Sequence, residues 1–251
     1  MSESTLTARG IDKRFGSLVV AANVNLTLPP GARHALIGPN GAGKTTLINL
    51  MTGMLRPDAG QILLGSEDVT ALAPEQRVRR GLARTYQINS LFPHLTALES
   101  VILAVCERRR VAQTWWRRLV AYREEIEEAH QILGALMLGA VCHRPARELA
   151  YGQQRLLEIA LALASQPKVL LLDEPAAGVP REDSKELFTA IAGLSHDIAV
   201  LFIEHDMELV FRFASKVIVM VGGSILVEGT PAEIAADPQV RAVYLGKATR
   251  A

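Results

Sequence analysis

Residues 38–45 read Gly38-Pro39-Asn40-Gly41-Ala42-Gly43-Lys44-Thr45 and follow directly on the apolar Ala35-Leu36-Ile37. This G-x-x-x-x-G-K-T spacing leaves the local fold little choice. A strand must deliver the chain into a glycine turn whose backbone N–H groups converge on an anion, and a helix must begin where the turn ends. Thr46-Leu47-Ile48-Asn49-Leu50 supplies the first turns of that helix, and its N-terminal dipole favours phosphate. The pattern predicts a nucleoside triphosphate held by residues 38–46, with Lys44 reaching the β- and γ-phosphates, the Thr45 hydroxyl ligating Mg²⁺ and Thr46 closing the cradle. A glycine-rich turn with no ligand is the alternative, and the strand-then-helix setting argues against it.

The 251 residues, 49% hydrophobic, are enough for one large domain or two packed lobes. A net charge of +1 gives no global pull toward nucleic acid or anionic lipid. Cys106 and Cys142 fit no metal-ligand spacing; they read as small buried apolar residues and suit a reducing compartment. The start Met1-Ser2-Glu3-Ser4-Thr5-Leu6 lacks the basic and apolar stretches of a signal peptide, so no export is expected. The longest uncharged apolar run, residues 217–227, holds two glycines and a serine. It falls short of the ~18 residues that suggest a membrane span, so any membrane role is expected to be peripheral.

Short apolar runs alternating with amphipathic helical patterns predict an α/β architecture. Strands are expected at 18–21, 25–28, 33–37, 61–64, 168–172, 198–204, 216–221 and 224–228. The early ones alternate in polarity, as in an antiparallel sheet, and the later ones are continuous and β-branched, as in a buried parallel sheet. Residues 90–160 are helical in pattern and read as a separate lobe. Within it, Glu107-Arg108-Arg109-Arg110 and Arg117-Arg118 flank Trp115-Trp116, and the following Arg123-Glu124-Glu125-Ile126-Glu127-Glu128 offsets the positive charge. A mixed charged helical face is the first reading, and a contact with headgroups or a membrane partner through the tryptophans the second.

A second motif bears on what happens to the nucleotide. Val169-Leu170-Leu171-Leu172-Asp173-Glu174-Pro175 is an apolar run ending in two carboxylates, the form of a buried parallel strand whose C-terminal end faces the phosphate loop. Neighbouring side chains leave a strand in different directions, so Asp173 can serve Mg²⁺ while Glu174 polarises an attacking water.

With these motifs, Thr85-Tyr86-Gln87, Leu149-Ala150-Tyr151-Gly152-Gln153-Gln154 and Ile203-Glu204-His205-Asp206 stand in the order and spacing of ATP-binding cassettes. The chain resembles an ABC transporter ATPase subunit over nearly its whole length. The resemblance implies a P-loop NTPase fold with a RecA-like core, an antiparallel β subdomain and a helical subdomain. It divides a single ABC ATPase domain, 1–251, into a core at 1–87 and 156–230, a helical subdomain at 88–155 and a tail at 231–251. It assigns Phe15 to stacking on adenine, Gln87 to Mg²⁺ and the water, and His205 to the γ-phosphate. Ala150, Tyr151, Gly152 and Gln153 fall on the signature that binds ATP held by an opposite subunit, with a helix expected to begin near Gln153.

Two departures from the common cassette pattern stand out. Ala150 replaces the usual serine, and Ala176-Ala177-Gly178-Val179-Pro180 lacks the usual aspartate. These features, with Glu228-Gly229-Thr230-Pro231 and Tyr244-Leu245-Gly246, look like the branched-chain amino-acid uptake family, and the long insert like its LivG-type subunits. The implied cofactors are ATP and Mg²⁺. The implied partners are two membrane permeases, a second ATPase that is a paralogous chain or another copy, and indirectly a periplasmic or extracellular binding protein, with no nucleic acid. The implied location is the cytoplasmic face of the inner membrane. Alternative cargoes are urea, amides, aromatic acids or exported lipid and lipopolysaccharide; a non-transport ABC ATPase acting on DNA or ribosomes is a further alternative.

Overall fold

The computed structural model describes residues 5–85, 91–111 and 122–245. Along the chain run β1 (Leu6–Phe15), β2 (Leu18–Leu28), β3 (Arg33–Ile37), α1 (Lys44–Thr52), β4 (Ala59–Leu64), β5 (Glu67–Asp68), α2 (Pro74–Val78) and β6 (Leu82–Arg84). Then come α3 (Ala97–Arg108), α4 (Arg123–Ala135), α5 (Tyr151–Leu163), β7 (Val169–Asp173), α6 (Arg181–Ala192), β8 (Ala199–Ile203) and α7 (Met207–Phe213). β9 (Lys216–Val221), β10 (Ser224–Gly229), α8 (Pro231–Ala236) and α9 (Pro238–Leu245) complete it.

Two compact units emerge, one of Met1–Arg84, Lys168–Glu174 and Ser195–Ala251, the other of Thr85–Pro167 and Pro175–Leu194. The first holds both sheets. One is antiparallel, in the order β2-β1-β4-β5, and the other has six strands in the order β10-β9-β3-β8-β7-β6. In the larger sheet β9, β3, β8, β7 and β6 run parallel, with Leu36 opposite both Ile203 and Ile218 and Asp173 opposite Ile203. This register brings the C-terminal ends of β3, β8 and β7 side by side, the edge at which open α/β sheets place their ligands.

Every residue of β7 and β8 is buried, which explains their unbroken apolar sequences. Leu47, Ile48, Leu50 and Met51 of α1 join Leu36, Leu171, Leu201 and Ile218 of the parallel sheet and Leu6, Ile11, Val24 and Ile62 of the antiparallel one in a single apolar cluster. Each such side chain, fully removed from water, contributes roughly 1.5–3 kcal/mol before the entropy of ordering is set against it. The helix that carries the phosphate loop is therefore anchored in the core of the unit.

Several strands differ from the sequence expectation. β1 went unanticipated because Arg9, Asp12, Lys13 and Arg14 break its alternation, and its pairing with β2 is interrupted by register shifts. β2 is one strand where two are expected, since Asn23 takes a left-handed φ of 48° that interrupts its pattern without ending it. β6 has three residues, too few to show a period. β3 belongs to the parallel sheet although it comes early, and β10 is antiparallel to β9 although it comes late. No helix among the described residues is long and apolar enough to cross a membrane.

The helical unit contains α3, α4, α5 and α6, with α5 packed on the other three. Residues 156–167 and 175–194 thus group with the helices by packing, whereas the motif borders read from sequence assign them to the core. Thr96 and Glu99 cap α3 reciprocally, each side chain bonding the other's backbone N–H at 2.8 and 3.1 Å. The basic end of α3 faces the acidic start of α4: Arg108 pairs with Glu128, and Arg109 with Glu124, Glu125 and Glu128. Arg108, Arg109 and their acidic partners therefore form a mixed charged face; Trp115 and Trp116 lie outside the described residues. Cys106 and Cys142 are free and buried, as expected.

Candidate active site

The phosphate loop leaves β3 at Ile37 and enters α1 at Lys44. A Cβ on Gly38 would stand 2.1 Å from the Met220 carbonyl oxygen, and one on Gly43 2.4 Å from that of Val20. Both positions require glycine because the backbone passes too close to neighbouring strands for any side chain. Gly43 also takes φ 101°, the left-handed conformation that turns the loop into the helix. Asn40, Gly41 and Thr45 are exposed, Pro39, Gly43 and Thr46 half-buried, and Gly38 and Ala42 buried. The buried Lys44 ammonium donates to the Gly38 and Pro39 carbonyls at 2.8 and 3.1 Å. Burial lowers its pKa, against the opposing pull of Glu174 and Asp173.

Asp173 ends β7 with its side chain fully buried. Oδ2 accepts from Arg84 Nη2 at 2.9 Å, while Oδ1 has no hydrogen-bond partner among the described residues. Burial raises the carboxyl above its ordinary range, against the lowering effect of the Arg84 guanidinium. The buried, unpartnered carboxylate oxygen at the strand end and the Thr45 hydroxyl at the start of α1 are hard oxygen donors, the type Mg²⁺ takes when phosphates supply further ligands. No cluster of three or more His, Cys, Asp or Glu side chains suited to a metal occurs among the described residues, so a cation here would depend on the nucleotide.

Glu174 has φ 50°, uncommon for a non-glycine residue, and its N–H donates to the Ile203 carbonyl at the end of β8. That bond ties the strand ends together. His205 follows β8, and Asp206 caps α7 by accepting from Glu208 and Leu209 N–H, which fixes the turn that carries the imidazole. His205 Nε2 then lies 2.9 Å from Glu174 Oε1, with both groups open to solvent. Phe15, at the end of β1, is 50% exposed with Lys13 Nζ 5.6 Å from its ring centroid, so it is a surface platform and not a core residue. Gln87 lies outside the described residues.

Ala150 to Gln153 belong to the helical unit. α5 begins at Tyr151, two residues before the expected start, with the Gln153 side chain accepting from Ala150 N–H at 3.1 Å. Gly152 lies in that first turn, where a Cβ would press on Asp183 at 3.2 Å. The Tyr151 hydroxyl donates to the Ala177 carbonyl and accepts from Arg155, while its ring covers Gly178. The aspartate-free segment after the carboxylates is thus held to the start of α5 by a tyrosine.

The sequence model of the ABC transporter family matches residues 21–177. The chain is 40% identical to the high-affinity branched-chain amino acid transport ATP-binding protein LivG of Escherichia coli (strain K12), over 99% of this chain and 100% of that protein. The chain belongs to the ABC transporter family. A second family, described as the branched-chain amino acid ATP-binding cassette transporter, matches residues 224–249. The cassette is also 38% identical to BraF, the corresponding protein of Pseudomonas aeruginosa, over 99% of this chain and all of that one. Its fold follows the ADP conformation of MJ1267, an ATP-binding cassette of an ABC transporter, with TM-score 0.84, 31% identity and coverage of 97% and 99% of the two chains.

This ABC cassette binds adenine nucleotide and hydrolyses ATP. Two side chains behind the carboxylate carry no motif in the sequence: Arg84, which donates to it, and Asn49, whose Oδ1 accepts from Arg84 Nη1. The available signal was slight, a single charge closing Gly81-Leu82-Ala83 and a single amide inside the apolar face of α1.

Proposed function

We propose that this ABC ATPase energises import of branched-chain or related amino acids. The observation that supports the cargo is the end-to-end likeness to LivG, reaching through the C-terminal segment that the second family covers. ATP sits on residues 38–46 with adenine against Phe15, and its phosphates take Lys44 from the two loop carbonyls it now binds. Thr45, Asp173 and Gln87 would hold Mg²⁺ together with the phosphates, and the ion would supply charge neutralisation of the transferring phosphoryl group. Glu174 orients and deprotonates the attacking water, and His205 holds Glu174 in place and donates to the γ-phosphate as charge develops.

A second ATPase subunit, paralogous or identical, presents its own signature segment to the γ-phosphate, and residues 150–153 of this chain reach across to the nucleotide that subunit holds. Because Ala150 has no hydroxyl, that contact falls to backbone N–H groups at the start of α5. The ATPase pair sits on the cytoplasmic face of the inner membrane beneath two permeases, which a substrate-loaded binding protein engages from the other side. Closing on two nucleotides and reopening after hydrolysis drives the permeases between states.

The test is tagged purification from native membranes in mild detergent, with mass spectrometry of the co-purifying chains and ATPase assays with candidate amino acids and their binding protein. Two permeases and a second ATPase, with turnover raised by leucine-, isoleucine- or valine-loaded binding protein, are expected. Turnover that answers only to urea, amides or aromatic acids would overturn the cargo. Recovery of soluble or nucleic-acid partners alone would overturn transport itself.

A further inference from the structure

The Arg84 guanidinium joins three elements around the carboxylate of β7. Its Nη2 donates to Asp173 Oδ2 at 2.9 Å from the end of β6, and its Nη1 donates to Asn49 Oδ1 on α1, the helix that carries the phosphate loop. The contact is nearly dry: the Arg84 side chain is 10% exposed and that of Asp173 not at all. An arginine facing a carboxylate alone commonly closes on both oxygens through its two parallel N–H groups. Here Asn49 engages Nη1, and the buried Nε makes no hydrogen bond among the described residues, so only Nη2 meets the carboxylate. Arg84 therefore grips Asp173 by one oxygen only, and the other, Oδ1, stays unpartnered at the end of the strand.

We infer that Arg84 and Asn49 are positioning residues for the divalent cation: Arg84 fixes the Asp173 carboxylate by Oδ2, and Asn49, by anchoring Nη1, sets the angle of the guanidinium so that Oδ1 is left uncovered. The inference rests on the reading of Asp173 as a metal-supporting group. A lysine cannot replace Arg84, because a single ammonium lacks the planar fork that reaches two acceptors held at fixed angles. Loss of Arg84 frees the carboxylate to rotate. Loss of the Asn49 amide releases Nη1, which lets the guanidinium turn toward Oδ1 and compete with the cation. Groups that orient a metal ligand from behind typically change metal affinity by about 10–100-fold when removed.

The experiment measures binding of a fluorescent ATP analogue to the full chain, first in EDTA and then across a Mg²⁺ titration, for the natural sequence and for R84M, R84K, N49A and D173N. Mn²⁺ binding in the presence of the nucleotide, followed by electron paramagnetic resonance, gives a readout independent of turnover. R84M, R84K and N49A are expected to keep their EDTA affinity within about twofold while the Mg²⁺ needed for half-maximal enhancement rises by about tenfold or more, with the Mn²⁺ signal weakened in parallel. N49A, the milder change, carries the test if R84M does not fold. Unchanged Mg²⁺ requirements in R84K and N49A beside a raised one in D173N would overturn the role of Arg84 and leave the metal reading standing. A D173N chain with an unaltered Mg²⁺ requirement would remove the metal reading and the inference with it. Equal losses of affinity with and without Mg²⁺ in R84K and N49A would also overturn it, since they mark a general support of the loop.

Discussion

His205 Nε2 stands 2.9 Å from Glu174 Oε1, although the two residues leave different strands of the sheet. The imidazole N–H donates to a carboxylate that can only accept, so the pair fixes both side chains. Glu174→Gln is expected to bind ATP with near-normal affinity and to lower kcat by about 100-fold or more, the usual scale for loss of a general base. His205→Ala should lower kcat less, and the double variant should lose less than the product of the two single losses, because holding Glu174 is one part of what His205 does. Paired ATPase and nucleotide-binding assays decide it; near-normal hydrolysis by Glu174→Gln would exclude that residue from the mechanism.

Gly43→Ala places a methyl 2.4 Å from the Val20 carbonyl oxygen at a left-handed φ of 101°. A loss of about 3 kcal/mol or more in unfolding free energy is expected, with nucleotide binding abolished. Gly134→Ala, in α4 with nothing within 4 Å of the new methyl, should have the opposite sign and stabilise by about 0.5–1 kcal/mol. Urea unfolding of the two variants tests the contrast, and a neutral Gly43→Ala would contradict the close approach.

Arg77 is almost completely buried and donates to four carbonyls: Leu50 and Met51 at the end of α1, Leu72, and Thr70. Burial lowers its pKa to about 10, so it remains charged at neutral pH and faces the negative end of the α1 dipole. Arg77→Met takes the guanidinium from these carbonyls, of which Leu50 keeps the Gly53 N–H, and is expected to destabilise the fold by about 3 kcal/mol, as read by chemical denaturation. A change under about 1 kcal/mol would show that water or a shifted backbone satisfies them instead.

His34 on β3 is buried, and burial, reinforced by Lys216 and opposed by Glu228, holds its pKa near about 4 against an ordinary 6.5. Above pH 6.5 the imidazole is neutral folded or unfolded and has no effect on stability. As pH falls from 6.5 toward 4 the unfolded chain takes up a proton that the folded one refuses, so stability declines by up to about 1.4 kcal/mol per pH unit. His34→Gln should lose less Tm between pH 7.5 and 5 than the natural sequence. Equal losses in the two chains would show that His34 does not carry this acid sensitivity.

What could be read from the sequence was what is written locally. The phosphate loop is eight consecutive residues, and β7 announces itself because burial on both faces forces an unbroken apolar run into Asp173. Arg84 and Asn49 were not legible in that way. They are 35 residues apart, each is unremarkable in its own segment, and only the placement of β6 beside β7 brings them to one carboxylate. β1 was hidden for a different reason: its outward-facing residues are charged and its pairing slips, so no strict alternation survives. The Gln87 reading rests on motif order alone, since that residue lies outside the described ones.

The path of the chain sets a limit on modularity. The helical unit enters in two installments, Thr85–Pro167 and Pro175–Leu194, and the seven residues Lys168–Glu174 that separate them belong to the sheet-bearing unit. No single continuous excision can therefore take out the helices and spare the chemistry, because the deleted block would carry away the strand between β8 and β6 together with both carboxylates. Exchange of helical units between cassettes, in the laboratory or in evolution, requires two coordinated grafts that leave the intervening strand in place.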